Sequence, residues 1–467
     1  MCRNMIAALI LCALSTLPLN ADQVDDYIHK FMERGRVPGV ALAVIHNGQL
    51  IKTATYGLAN VEWQRPVTRS APFWLDSLTK LVTAVGVMQL VDSGQMGLDD
   101  SITKYLTDAS PTWQPVTVRH LLAHLSGIKD NYWEQCKGSV LIQYDPKDIY
   151  AYAIKQPLEF KPGERFAYDN AGYYLAGVII ERVTGIPYPQ WITEHVLKVA
   201  GMKNARLYDP FEIVPEMVAS YNQKDGRVVH NRSDVLSDRG TAIAGWGVLA
   251  SLDDMIAFDS AFRGGRLLPT PLVEQMLINS RLNSGAPAES GIGFSRVGFL
   301  HGHRWAFKGG QAGVSYVIFP EDNLAILLLT NMDADVSMSD VASRELARFF
   351  VPALQPLSAL SPRPDPEPER TSKIRQAMNE VASGAPSSAL FTPTMFASVT
   401  ADDRLQARGL LDHLKTFEFL DCDKAGPKDS SEAKLYCYYR ATAGALVVNL
   451  TFGLAPNGQI VSVSGQP

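Results

Sequence analysis

The densest apolar stretch of the chain follows Lys80. Leu81, Val82, Ala84, Val85, Val87, Met88, Leu90 and Val91 leave little polar face, which predicts a helix buried on nearly all sides and ended by Gly94. A second apolar helix is predicted from about Ala171 to Val183. Alternation with a period of two marks Gly39 to Ile45 and Gln49 to Tyr56. Between them stands Asn47-Gly48, a dipeptide suited to the left-handed turn of a hairpin. Ile292 to Phe299, Arg304 to Lys308, Val314 to Phe319 and Ala325 to Thr330 offer further strands. The pattern predicts an α/β (α+β) fold in which an antiparallel sheet is flanked by helices, with an all-helical insertion over roughly residues 71–280.

The character of the chain changes near Pro352. Pro352, Pro356, Pro362, Pro364, Pro366 and Pro368, mixed with Ser and charges, read as a stiff extended linker over 352–370. Beyond it the pattern predicts a helix from about Thr371 to Ala382, a second near Asp402 to Thr416, and three strands, the last from Gln459 to Ser464. That makes residues 371–467 a small α+β domain. It holds no catalytic motif and reads as a binding or structural accessory.

At the other end, Arg3 precedes an apolar run from Met5 to Leu19 and then Asn20-Ala21. This reads as a signal peptide, residues 1–21, leaving a main domain over 22–351 and a periplasmic or secreted location. The run is short and interrupted by Pro18, which argues against a stable membrane anchor. Cys12 follows Leu11, whereas a lipid-attachment Cys normally follows a small residue. In an exported chain a Cys422–Cys437 bridge across the predicted hairpin is plausible, while Cys136 reads as a buried apolar residue. A formal net charge of −5, with 46% hydrophobic and 19% charged residues, allows a large core and gives no basic excess for nucleic acid or an anionic membrane surface. His301 and His303 lack a third ligand, and His120 and His124 lack an acid partner in a zinc pattern, so no metal or cofactor is expected. The oligomeric state is not legible.

The candidate chemistry begins where the apolar helix does. Ser77-Leu78-Thr79-Lys80 sets a hydroxyl and an amine three residues apart, on one face of a helical turn. An amine able to accept the serine proton makes a nucleophile of a hydroxyl that is otherwise too weakly acidic for acyl attack. The same spacing arises by chance in most chains of this size, as a capping Ser with a solvated Lys. Here the apolar run after Lys80 carries the lysine toward the interior. Two more segments join it. Tyr168-Asp169-Asn170 lies on a loop between Lys161-Pro162-Gly163-Glu164 and the second apolar helix, and offers a proton relay and an amide. Lys308-Gly309-Gly310-Gln311 lies between two predicted strands, where glycines permit close approach to the strand edge.

In the order Ser-x-x-Lys, Tyr-x-Asn, Lys-x-Gly, the chain resembles the serine β-lactamase and penicillin-binding-protein superfamily. The branch is that of class C β-lactamases, D-alanyl-D-alanine carboxypeptidases, D-aminopeptidases and β-lactamase-like esterases. Pro38-Gly39-Val40-Ala41 with His46-Asn47-Gly48, the run His120-Leu121-Leu122-Ala123-His124-Leu125-Ser126-Gly127, and Ala244-Gly245-Trp246-Gly247 before Ser251-Leu252-Asp253-Asp254 are similar to this branch too. The resemblance covers roughly residues 25–350.

The resemblance implies that Ser77 forms an acyl-enzyme and that Lys80 and Tyr168 share the proton transfers. Asn170 would orient the substrate, Lys308 would support Tyr168 and attract an anion, and the backbone amides of Ser77 and Gln311 would form an oxyanion hole, with Gly309 and Gly310 beside it. Two positions depart from the family pattern. Gly309 stands where Thr is usual, which removes a donor for a substrate carboxylate and counts against β-lactamase activity, and Asp169 stands where Ser or Ala is common. The expectation is an exported serine hydrolase acting on a peptide, amide or β-lactam-like bond of a small-molecule or peptide substrate. Two alternatives stay open: a carboxylesterase, and a protein that binds penicillin-like or peptidoglycan ligands without turnover.

Overall fold

The computed structural model describes residues 18–130, 146–209, 212–231, 243–300, 302–333, 336–355, 357–425, 432–444 and 446–466. Most of the expected signal peptide, the aromatic pair Tyr132-Trp133 and Cys136 lie outside the described residues.

A seven-stranded antiparallel sheet forms the centre. Its strands are β1 (Gly39–His46), β2 (Gln49–Asn60), β3 (Arg65–Pro66), β4 (Arg296–Leu300), β5 (His303–Gly309), β6 (Ser315–Phe319) and β7 (Leu324–Thr330), in the spatial order β3-β2-β1-β7-β6-β5-β4. The predicted hairpin joins β1 and β2, with Asn47 at φ 52° and Gly48 at φ 73°, as a turn matching the strand twist requires. The first and last parts of the chain meet in the middle of the sheet, where Ala41 pairs with Leu329 and Val44 with Ile326.

Both faces of the sheet are covered, and the two-residue period divides its side chains between two cores. Ala41, Ala43, Leu327 and Leu329 face one core, together with Leu81, Val85 and Met88 of helix α2 (Thr79–Asp92) and Leu175 and Ile179 of helix α3 (Ala171–Thr184). Val40, Leu42, Ile326 and Leu328 face the other, with Val24 and Ile28 of helix α1 (Pro18–Gly35). Helix α2 is buried on almost all sides, as its sequence demands, and Gly94 follows it at φ 72°. The insertion before β4 is not all-helical. It contains a small sheet of Phe73–Trp74, Arg206–Leu207 and Val248–Ala250, and a hairpin of Tyr221–Lys224 with Arg227–His230. These pieces are too short to show a periodic pattern. Helix α4 (Leu252–Arg263) is opened by a capping box between Ser251 and Asp254.

The C-terminal part is a second, separate sheet. Its strands β8 (Leu414–Lys424), β9 (Leu435–Ala443), β10 (Leu446–Leu454) and β11 (Ile460–Gln466) pair in chain order, with helices α6 (Pro368–Ser383), α7 (Pro393–Ser398) and α8 (Ala401–Asp412) before them; helix α5 (Val336–Ala347) belongs to the first part. Strand β10 has no counterpart in the sequence reading, because Asn449 and Gly453 interrupt its apolar run. Cys422 and Cys437 lie opposite each other in the β8–β9 register and are joined by a disulfide. The segment over 352–370 is not a free extended spacer. Leu354 and Leu357 are buried in the second core, where Tyr436 and Tyr438 of β9 also insert. Their neighbours Cys437 and Tyr439 face the opposite way, into a third core with Ile374 and Phe452.

Candidate active site

Ser77 sits in a single 3-10 turn, Asp76–Leu78, that runs directly into α2. Asp76 has φ 45°, a left-handed conformation that Asp tolerates better than most residues. One turn on, Lys80 is fully buried, with Nζ 3.1 Å from Ser77 Oγ, 2.9 Å from Asn170 Oδ1 and 3.0 Å from the Gly245 carbonyl oxygen. An ammonium has three donors, and three oxygens surround it. The Tyr168 hydroxyl donates to Ser77 Oγ from the other side at 2.9 Å. The serine oxygen therefore lies between two groups able to take its proton.

Asn170 caps the arrangement at the start of α3. Its amide nitrogen donates to Asp130 Oδ2 at 3.1 Å, and Asp130 Oδ1 accepts from the Ala171 backbone N–H. That fixes the Asn170 carbonyl toward Lys80. Burial pushes the Asp130 carboxyl up.

Beneath the Tyr168 ring lies a buried network. His124, at φ 59°, packs against Tyr168 with ring centroids 4.4 Å apart and planes tilted by 30°, and its Nδ1 is 3.1 Å from Asp169 Oδ1. Ser126 donates to Asp169 Oδ2 at 2.9 Å, and the Asp169 N–H points to His124 Nδ1. Burial raises the Asp169 carboxyl to about 7. Burial, and then the charges of Lys308 and Lys80, drive His124 well below its usual range. Both groups are thus pushed toward their neutral forms.

The third motif comes from β5 and the turn after it. Lys308 is fully buried, with Nζ 2.9 Å from Ser295 Oγ and 5.3 Å from the centre of the Tyr168 ring. Burial and the Lys80 charge hold its amine well below the ordinary lysine range, against the opposing influence of Asp76. Lys308 is therefore buried beneath the cleft, beside the Tyr168 that the sequence reading has it support. Gly310 is where glycine is required. A Cβ there would lie 2.5 Å from the Leu75 carbonyl oxygen and 3.0 Å from the Ser77 nitrogen. This close approach brings Gln311 beside the nucleophile. The Asp76 carboxylate accepts from the Ala312 N–H at 3.3 Å and ties the serine turn to the β5–β6 turn.

A cleft of about 710 Å³ opens over these groups, lined among others by Ser77, Tyr168, Ser295, Arg296, Gly309 and Gln311. Glu289 and Asp333 add two carboxylates. The structure brings Ser77, Lys80, Tyr168, Asn170, Lys308, Gly309, Gly310 and Gln311 to one place from three separate segments. Sequence reading missed Asp130, Ser295 and Arg296, which carry no motif. It took His124 as satisfying local hydrogen bonds, which it does, without placing it under Tyr168. The runs containing His124 and Gly245 did carry a signal through their resemblance to the family. Among the described residues no group of three His, Cys, Asp or Glu could hold a metal ion.

Comparison with known proteins bears on the family and the fold. The family described as Beta-lactamase matches residues 24–349. Penicillin-binding protein 4* of Bacillus subtilis (strain 168) is 28% identical over 324 residues, covering 65% of this chain and 70% of that protein. Among solved structures, EstCE1, "a hydrolase with promiscuous acyltransferase activity", superposes with a TM-score of 0.61 at 20% identity, covering 69% of this chain and 98% of that one. D-amino acid amidase from Ochrobactrum anthropi SV3 gives a TM-score of 0.58 at 23% identity, covering 72% and 98%. At these identities the two structures speak for the fold alone.

Proposed function

The chain belongs to the Beta-lactamase family, and from that premise we propose that it is an exported serine hydrolase that cleaves an amide or peptide bond through an acyl-enzyme on Ser77. The observation that carries the reading is Ser77 Oγ held between Lys80 Nζ at 3.1 Å and the Tyr168 hydroxyl at 2.9 Å, at the base of an open cleft.

In the proposed reaction Ser77 Oγ attacks the acyl carbon as its proton passes to Lys80 or Tyr168. The two are coupled through the same oxygen, so the proton belongs to the pair. The negative charge that develops on the acyl oxygen meets the backbone N–H groups of Ser77 and Gln311; one such donor is worth on the order of a hundredfold in rate. The proton then reaches the leaving nitrogen through Tyr168, and a water molecule reverses the sequence to release the acid. Asn170 orients Lys80 and presents its amide near the substrate.

Arg296 is the cation lining the cleft among the described residues, half exposed and paired on one side with Asp340 at 3.1 Å, so a substrate carboxylate is read there, with Lys308 acting from beneath through Ser295 and Tyr168. The family relation to Penicillin-binding protein 4* favours a peptide or β-lactam-like amide. A carboxylesterase is the second reading, since Gly309 supplies no hydroxyl for a carboxylate. Binding of penicillin-like or peptidoglycan ligands without turnover is the third. Export rests on the apolar run from Met5 to Leu19; no helix among the described residues is long and apolar enough to cross a membrane.

Turnover of p-nitrophenyl butyrate, nitrocefin and a D-alanyl peptide by the parent and by Ser77→Ala separates these readings. Peptide or lactam turnover lost in Ser77→Ala supports the proposal. Ester-only turnover moves the chain to the esterase reading, and stoichiometric acylation without turnover to the binding one.

A further inference from the structure

A hollow distinct from the catalytic cleft is larger than it. It lies in the C-terminal part, has a volume of about 970 Å³, and is walled by α6, α7 and α8 on one side and by β10 and β11 on the other. Met378, Phe391, Met395, Leu450, Phe452 and Val463 form much of its surface. A small domain of this kind ordinarily fills the space between helices and sheet with side chains. Here the third core, with Ile374, Phe419 and Tyr439, stops short and leaves an apolar space of the size of a small-molecule site. The methionines add walls that adapt to an irregular ligand.

The charged groups on the lining set the polar end of the ligand. They are Arg281, Glu289, Asp403 and Glu432, three acids against one base, and the Arg281 guanidinium also donates to the Gly285 carbonyl at 2.8 Å. This field opposes a carboxylate or phosphate and accepts a neutral or cationic end. Glu289 also lines the catalytic cleft, so the two hollows adjoin through the segment from Arg281 to Glu289.

We propose that this cavity is a binding site for an elongated apolar molecule with a neutral or cationic end, such as an alkyl alcohol or alkyl amine. It has no part in the acyl transfer at Ser77.

Gly409 offers a direct way to close it. It lines the cavity, and a Cβ added there meets nothing within 4 Å, so Gly409→Phe places a ring in the space without a backbone collision. Ala407→Phe, on the same helix and the same lining, is the second variant. The experiment is fluorescence titration of the full-length protein carrying Ser77→Ala with N-phenyl-1-naphthylamine, followed by competition with dodecanol, dodecylamine and dodecanoate. An inert protein keeps the result independent of whether the chain is a hydrolase. The expected result is saturable one-to-one binding, weakened at least about tenfold by either variant at unchanged melting temperature. Dodecanol and dodecylamine should compete at least about tenfold better than dodecanoate. Absence of saturable binding, or binding indifferent to a folded Gly409→Phe or Ala407→Phe protein, overturns the site; dodecanoate as the best competitor overturns the assignment of its polar end.

Discussion

Helix α2 and strand β5 each carry a lysine into the interior, and they treat it differently. Lys80 meets three oxygens within 3.1 Å: the serine, the Asn170 amide and the Gly245 carbonyl. Both amines lie over the faces of Tyr168 and Tyr173, at 5.1 and 5.8 Å for Lys80 and 5.3 and 6.0 Å for Lys308, but the oxygen near Lys308 is that of the Ser295 hydroxyl. The difference lies in where backbone and amide oxygens are turned inward. Around α2 the Gly245 carbonyl, from the short helix Ile243–Trp246, and the Asn170 side chain point at the amine, whereas the backbone oxygens near β5 are engaged in the strand ladder with β4 and β6. The behaviour of a buried cation follows from the acceptors it is given as much as from its depth. Lys80 is held to act on Ser77, and Lys308 is pushed toward its uncharged form behind Tyr168.

Removing the first lysine should break this contrast most visibly. Lys80→Ala is expected to lower kcat/KM for p-nitrophenyl butyrate by about a thousandfold with a native circular dichroism spectrum, and a rate within about tenfold of the parent would mean the proton leaves elsewhere. Lys308→Ala should cost about ten- to a hundredfold, by the same factor for a neutral ester and for a carboxylate-bearing amide, because the side chain is not on the cleft surface. Arg296→Ala should spare the ester and weaken the carboxylate-bearing substrate. If Lys308→Ala instead spared the ester, direct contact between Lys308 and the substrate anion, as read from the sequence, would be restored.

The pair beneath Tyr168 sharpens the comparison through pH. Asp169 is raised to about 7, so between about 4 and 7 the folded protein holds a proton there that the unfolded chain has released, and stability from this group falls as pH rises. His124 is lowered well below its usual value, so below about 6.5 the unfolded chain binds a proton that the folded one does not, and stability from this group rises with pH. The two slopes oppose each other over most of that range. Asp169→Asn should leave only the histidine slope, a protein that loses stability on acidification, and His124→Gln should leave the reverse. Urea unfolding at pH 5, 6 and 7 reads both; parallel curves for the two variants would mean the pair does not titrate on folding.

The smallest effect on catalysis is expected far from the cleft. Replacing Cys422 and Cys437 together by Ser opens a loop of 15 residues, a loss of about 3 kcal/mol on the chain-entropy estimate. Melting of the C-terminal part should move down, with ester hydrolysis by the folded protein unchanged. A fall in hydrolysis at a temperature where the double variant remains folded would show that the two parts act together.

Regions with a strong period were legible from the chain alone. The run from Leu81 to Val91 could only be a buried helix, and Asn47-Gly48 between alternating segments could only be a tight hairpin, because side-chain period and left-handed turn propensity are local properties. Strand β10 was not legible because Asn449 and Gly453 interrupt its apolar run, and the two-residue strands Phe73–Trp74 and Arg206–Leu207 were not because they pair with Val248–Ala250, a partner distant in sequence. The polar–apolar pattern and the three motifs thus pointed to the central sheet, the helix that follows the serine and the residues proposed to react. The tertiary structure alone decided that Asp130 fixes Asn170, that burial pushes His124 and Asp169 toward their neutral forms beneath Tyr168, that Lys308 is buried while Arg296 lines the cleft, and that the C-terminal part borders a cavity. Each of these depends on which atoms from remote segments come within a few ångströms, and desolvation and hydrogen bonding act over that range whatever the separation along the chain.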